Sequence, residues 1–136
     1  MANFIKVTDA FSVTPQITLA DMAQAADQGF CLVINNRPDG EEPGQPTSAQ
    51  MQAAAQAAGI NYLHIPVVGG PTPDQVEHVR LAVEDAQGPV LAFCRSGTRS
   101  IVTWSIGQAL SDERTPEELI TLGAKAGYDL SSVLRR

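Results

Sequence analysis

The sequence predicts an α/β domain of three layers, with a mostly parallel sheet of four to five strands and helices on both faces. Three observations carry that expectation. Short β-branched or apolar runs alternate along the chain with alanine-rich amphipathic segments, the pattern of successive β-α units. One run, PVLAFC at 89–94, is apolar almost throughout, as a central parallel strand covered on both faces must be. The chain has 136 residues, 43% of them hydrophobic, enough for one buried core, so a single domain over residues 1–136 is expected.

Each element has its own local reason. FSVT at 11–14 is the first strand, and a helix over about residues 18–28 follows, with Thr18 as N-cap and Gly29 as its stop. CLVINN at 31–36 is the second strand. RPDGEEPGQP at 37–46, with three prolines and two glycines, interrupts regular structure before a helix over about 48–58 that opens at the box Thr47-Ser48-Ala49-Gln50. NYLHIPV at 61–67 is the third strand. A helix over about 73–87 comes next, capped by Thr72 with Pro73 in its first position, and Val76, Val79 and Val83 form its buried stripe. Residues 89–94 are the fourth strand. Arg99 to about Leu110 reads as a helix offering Ile101, Val102, Trp104, Ile106 and Leu110 to the core. Thr115-Pro116-Glu117-Glu118 is another capping box, its helix ending near Gly127, and a short helical turn closes the chain.

Composition removes several function classes. A formal net charge of −6 does not suit a nucleic-acid surface, which needs clustered lysine and arginine. No apolar stretch approaches the roughly 18 residues of a membrane span. The start, MANFIKVTDAFSV, has no apolar signal region, so a cytoplasmic protein with reduced thiols is expected. Cys31 opens one strand and Cys94 closes another, which places the sulfurs at opposite ends of a parallel sheet, on the order of 15 Å apart and beyond the reach of a disulfide. Two histidines and two cysteines so scattered make no zinc spacing, and neither metal nor cofactor is expected.

The chemistry concentrates in FCRSGTRS at 93–100. Cys94 falls at the carboxyl end of a parallel strand, the edge where α/β sheets collect ligands. Gly97 admits a backbone conformation that turns successive loop N–H groups inward as an anion nest, and the helix beginning near Arg99 aims its positive end at the same place. Arg95, Ser96, Gly97, Thr98 and Ser100 are the expected substrate-binding positions, and Cys94 and Arg99 the catalytic ones. Lowering a cysteine pKa from about 8.5 to about 6 needs roughly 3.4 kcal/mol of preferential stabilisation of the thiolate, within reach of several such donors and an arginine. The alternative is a buried structural cysteine followed by an ordinary glycine turn.

CRSGTRS resembles the active-site loop of rhodanese-like sulfurtransferases and, more loosely, the phosphate loop of cysteine-dependent phosphatases. The latter has five residues between cysteine and arginine, where Arg-Ser-Gly-Thr supplies four here. From FIKVTDAFSVTPQ through VINNRPDGEEPGQP, YLHIPV and FCRSGTRS, the chain resembles the phosphatase-like domain of beta-lactamase-hydrolase-like proteins, which occurs alone or fused to a metallo-β-lactamase-fold persulfide dioxygenase. The resemblance implies a fold like the dual-specificity phosphatases and a sulfur-handling context, with a separate persulfide dioxygenase as an expected partner.

Loop size and leaving group separate the two chemistries. A six-residue ring from Cys94 to Arg99 is tighter and suits the single sulfur atom of a persulfide, whereas a phosphoryl group brings three outer oxygens. Phosphate monoester cleavage also needs a positioned acid, and VVGGPTPD offers only Asp74, which the helix dipole would favour in any case. The leading expectation is therefore a sulfurtransferase moving sulfane sulfur from thiosulfate or a persulfide to a thiol such as glutathione through a Cys94 persulfide. One alternative is a phosphatase hydrolysing a phosphate ester through a phosphocysteine, with Asp74 as general acid. The other is a non-catalytic anion-binding module.

Arg37 leaves its strand at the same sheet edge, so it is read either as a recruiter of the anion or as a solvated loop arginine. Asn35 and Asn36 are read as loop hydrogen-bonding residues, His64 as a satisfied buried histidine, His78 as part of a solvated face, Trp104 as core and Cys31 as structural.

Overall fold

The computed structural model describes residues 3–134. Five short strands form one sheet: β1 (Ile5–Thr8), β2 (Phe11–Thr14), β3 (Leu32–Asn35), β4 (Asn61–His64) and β5 (Val90–Phe93), in the order β1-β2-β5-β3-β4. β2, β5, β3 and β4 run parallel, and β1 folds back antiparallel on β2. β5, the most apolar run, is central and wholly buried, as its sequence requires.

The period-2 alternation of side chains divides the core into two. Leu32, Ile34, Val90 and Ala92 face one side with Phe11 and Val13, where they meet Val79, Ile101, Trp104, Leu119, Leu130 and Leu134. Val33, Leu91 and Phe93 face the other side and meet Met22, Ala25, Met51 and Ala55. Helices α1 (Asp21–Asp27) and α2 (Ser48–Ala58) thus cover one face. The opposite face is covered by α3 (Pro73–Asp85), α4 (Thr98–Leu110), α5 (Pro116–Ala126) and α6 (Ser131–Leu134). Thr47, Thr72 and Thr115 each close a complete capping box with the glutamine or glutamate three residues on.

Several expectations are corrected. β1 was not anticipated, because Ile5-Lys6-Val7-Thr8 carries a lysine and pairs on one side only, with an irregular register between Lys6 and Thr8. Thr18 caps the tight turn before α1 rather than α1 itself: its Oγ1 accepts from Asp21 N, and the helix proper starts at Asp21. Leu110, expected in the core, is 74% exposed at the last position of α4. Trp104 is core as expected, stacked on Phe11 with centroids 4.8 Å apart.

Candidate functional site

Four parallel strands end at one edge of the sheet, and the loops leaving β2, β3, β4 and β5 meet there. The β5 loop carries Cys94 directly into Gly97, whose φ of +90° starts α4. Cys94 has no exposed surface, so its sulfur forms the floor of the loop, while Arg95, Ser96 and Thr98 are exposed at the rim. Of the loop amides expected to face the sulfur, the bond formed is that of Gly97, whose N–H donates to Cys94 Sγ at 3.1 Å. Ser100, in the first turn of α4, is buried with its Oγ unpartnered among the described residues, as is Asn36 Oδ1.

Arg99 is held from two sides. Its Nη1 donates to Glu41 Oε2 at 2.7 Å and to the Val67 carbonyl at 2.9 Å, and its Nη2 donates to Glu41 Oε1 at 2.8 Å. A guanidinium has five N–H donors, so Nε–H and one Nη2–H, which lie side by side, face no carboxylate. Glu41 also takes Arg37 Nε at 2.8 Å and so bridges two arginines. The hydrogen bond from Arg99 leads in holding the Glu41 carboxyl down to about 2. Reciprocally, Glu41 first and the Cys94 sulfur after it raise the proton affinity of Arg99, which draws the guanidinium and the sulfur into one electrostatic unit.

Arg37 is not the solvated loop arginine of one of its two expected descriptions. Its side chain is 1% exposed, with Nε on Glu41, Nη2 on Glu42 at 2.9 Å and Nη1 on Gln16 Oε1 at 3.1 Å. With three of its five N–H groups paired and its charge met by two carboxylates, this buried cation serves as a strut that holds Glu41 against Arg99. His64 donates from Nε2 to the Arg37 carbonyl at 2.8 Å, so it is satisfied as expected although only half-buried. Asn35 Oδ1 accepts from Arg37 N, and Asn36 Nδ2 donates to the Ile65 carbonyl, so both asparagines tie loops together. Asp74 is exposed in the first turn of α3, and His78 lies on the exposed face of the same helix.

Tyr128, in the turn between α5 and α6, reaches the loop from outside the sheet edge. Its hydroxyl donates to the Ser96 carbonyl at 2.8 Å, and it occupies the space a Cβ on Gly97 would enter. Sequence reasoning missed Glu41, Glu42, Gln16 and Tyr128. Glu41 lies 58 residues before Arg99, and Tyr128 lies 32 beyond Ser96, with no local pattern linking either to the cysteine. A groove of about 810 Å³ lined by Lys6, Thr8, Arg114, Glu118 and Lys125 lies elsewhere and includes none of the loop residues, so concavity alone does not locate this site. Among the described residues, no cluster of three or more His, Cys, Asp or Glu is arranged to hold a metal ion, and no helix is long and apolar enough to cross a membrane.

A family model described as the beta-lactamase hydrolase-like protein, phosphatase-like domain, matches residues 3–111. The chain belongs to this family. A beta-lactamase hydrolase-like protein of Agrobacterium fabrum is 36% identical over 133 residues, which are 96% of this chain but 31% of the relative. This phosphatase-like domain therefore spans about a third of the length of that relative. A solved structure of a candidate phosphatase from Neisseria meningitidis shares 34% identity and a TM-score of 0.84 over 97% of this chain and 94% of the other. The fold extends to P. aeruginosa TpbA in complex with pTyr, at 14% identity and a TM-score of 0.68 over 98% and 79% of the two chains. The domain thus has the cysteine-phosphatase fold, and the comparisons favour the phosphatase reading of the loop. The sulfurtransferase expectation finds no support in them.

Proposed function

We propose that the domain is a cysteine-dependent phosphatase acting on phosphate monoesters through a phosphocysteine at Cys94. The observation that carries this reading is the edge of Arg99 that faces the sulfur's side of the loop rather than a carboxylate. Nε–H and the second Nη2–H form a parallel pair matched to two oxygens of one phosphoryl group, and the same guanidinium is drawn to the Cys94 sulfur. A terminal persulfide sulfur uses one donor and leaves such a fork half empty. The shorter ring, taken from the sequence as a mark of sulfur transfer, is offset by this second anchor.

In the proposed reaction the Cys94 thiolate forms an S–P bond as the ester P–O bond breaks, and the leaving oxygen takes a proton. Arg99 and the Gly97 N–H stabilise charge on the transferring group and on the sulfur, and the buried, unpartnered Ser100 hydroxyl in the first turn of α4 is the further donor this reading assigns to the sulfur as it leaves. Water then cleaves the S–P bond, releasing inorganic phosphate and the thiolate. Arg95, Ser96 and Thr98 form the exposed rim that meets the substrate. Asp74 is the candidate acid, because its helix follows the loop whose Val67 carbonyl binds Arg99. TpbA was solved with pTyr, which makes aryl phosphates the first class to try.

The test sets p-nitrophenyl phosphate hydrolysis beside sulfite release from thiosulfate with glutathione, for the native protein, Cys94→Ser and Asp74→Asn. Phosphate release that is abolished in Cys94→Ser and falls by about 100-fold or more in Asp74→Asn is expected. Sulfite release dependent on Cys94, without ester hydrolysis, restores the sulfurtransferase reading.

A further inference from the structure

The Ser96–Gly97 peptide is bonded at both ends in opposite directions. Its N–H donates to Cys94 Sγ at 3.1 Å, and its C=O accepts from the Tyr128 hydroxyl at 2.8 Å. A trans peptide unit is planar with its N–H and C=O antiparallel, so orienting one end orients the other. The unit precedes a glycine at φ +90°, the residue type for which rotation of that plane is least hindered. Rotated, it would turn the Ser96 carbonyl oxygen, rather than a donor, toward the sulfur.

We propose that Tyr128 is a positioning residue that holds the Ser96 carbonyl outward and thereby keeps the Gly97 N–H on the Cys94 sulfur. The tether is itself anchored. Tyr128 N donates to the Gly123 carbonyl at 2.8 Å across the left-handed Gly127, and Leu130 packs against Gly123. The phenol is half-buried, and burial first, with the charge of the Cys94 sulfur second, raises its proton affinity, so at neutral pH it carries the proton it donates. All of this lies beyond residue 111, where the family match ends, so part of the loop's support comes from outside the matched segment.

The inference rests on Cys94 as an ionising nucleophile, and not on which group it attacks. The titratable and charged groups facing the sulfur are Arg99 of α4 and Tyr128. Glu41 faces Arg99 from the loop after β3, and Arg95 of the same loop as Cys94 faces Glu42.

The experiment is the rate of Cys94 alkylation by iodoacetamide against pH in the Cys31→Ser background, for the parent and Tyr128→Phe, with no turnover involved. Losing the tether should raise the alkylation midpoint by about half to one pH unit, with a melting temperature that hardly changes. As a second reading, the Gly97 amide proton resonance should move downfield as Cys94 ionises in the parent and move less in Tyr128→Phe. Superimposed alkylation profiles with equal Gly97 shifts would overturn the proposal. A parent midpoint near 8.5 that still rises in Tyr128→Phe would sink the activated nucleophile and leave the tether standing. A low parent midpoint that Tyr128→Phe does not move would do the reverse.

Discussion

Glu41 is the residue on which the geometry of the site turns, because it accepts from both guanidiniums that converge there. Its carboxyl is held at about 2 against an ordinary 4.5, chiefly by Arg99. A depressed folded-state pKa contributes stability that is complete above 4.5 and is lost as pH falls through about 2. In Glu41→Gln the charge is gone, buried Arg37 keeps only Glu42 as an ionic partner, and stability at pH 7 should fall by about 1–3 kcal/mol. Urea unfolding at pH 7 and pH 3 checks this: the gap between native protein and variant should narrow at the lower pH. A gap that is equal at both would show that the carboxylate charge does not hold the loop. Hydrolysis should fall as well, because Arg99 would lose its bidentate partner and with it the fixed direction of its free edge.

At the scale of elements, capping chemistry says most about where helices begin. Thr47, Thr72 and Thr115 were readable as caps because threonine followed three residues later by glutamine or glutamate satisfies two orphan N–H groups at once. Thr115→Ala removes one of these bonds at the start of α5, and a loss of about 1 kcal/mol in chemical unfolding is expected. A change below about 0.3 kcal/mol would mean that packing alone sets the start of α5. Strands were legible where both faces are buried, as in VLAF of β5, and illegible in β1, where Lys6 points to solvent and the sheet ends. The cysteine loop was legible because its residues are contiguous. Its supports were not, since Glu41 sits in a proline- and glycine-rich loop where spacing carries no periodic meaning, and Tyr128 follows a helix that by pattern serves only the core.

For the whole molecule, the question is whether the family-matched segment, residues 3–111, is a folding unit without α5 and α6. Leu119, Leu130 and Leu134 of the C-terminal segment are each at most 7% exposed and pack in the larger of the two core clusters, with Ile101 and Trp104 of α4. Burial of a leucine side chain contributes about 1.5–3 kcal/mol, so three supply about 5–9 kcal/mol as an upper estimate, against the roughly 5–15 kcal/mol that typically holds a domain together. Pro116 and Ala126 add to the deficit, and α5 also packs against β1, the edge strand least able to hold itself in place. A chain truncated after Ser111 should therefore lose cooperative thermal unfolding followed by circular dichroism, and its Trp104 emission should shift to the red as the indole meets water. A sharp transition within a few degrees of the full chain would show the C-terminal helices to be an accessory. In that case the truncated chain, folded but without Tyr128, would itself report on the tether through its Cys94 alkylation midpoint.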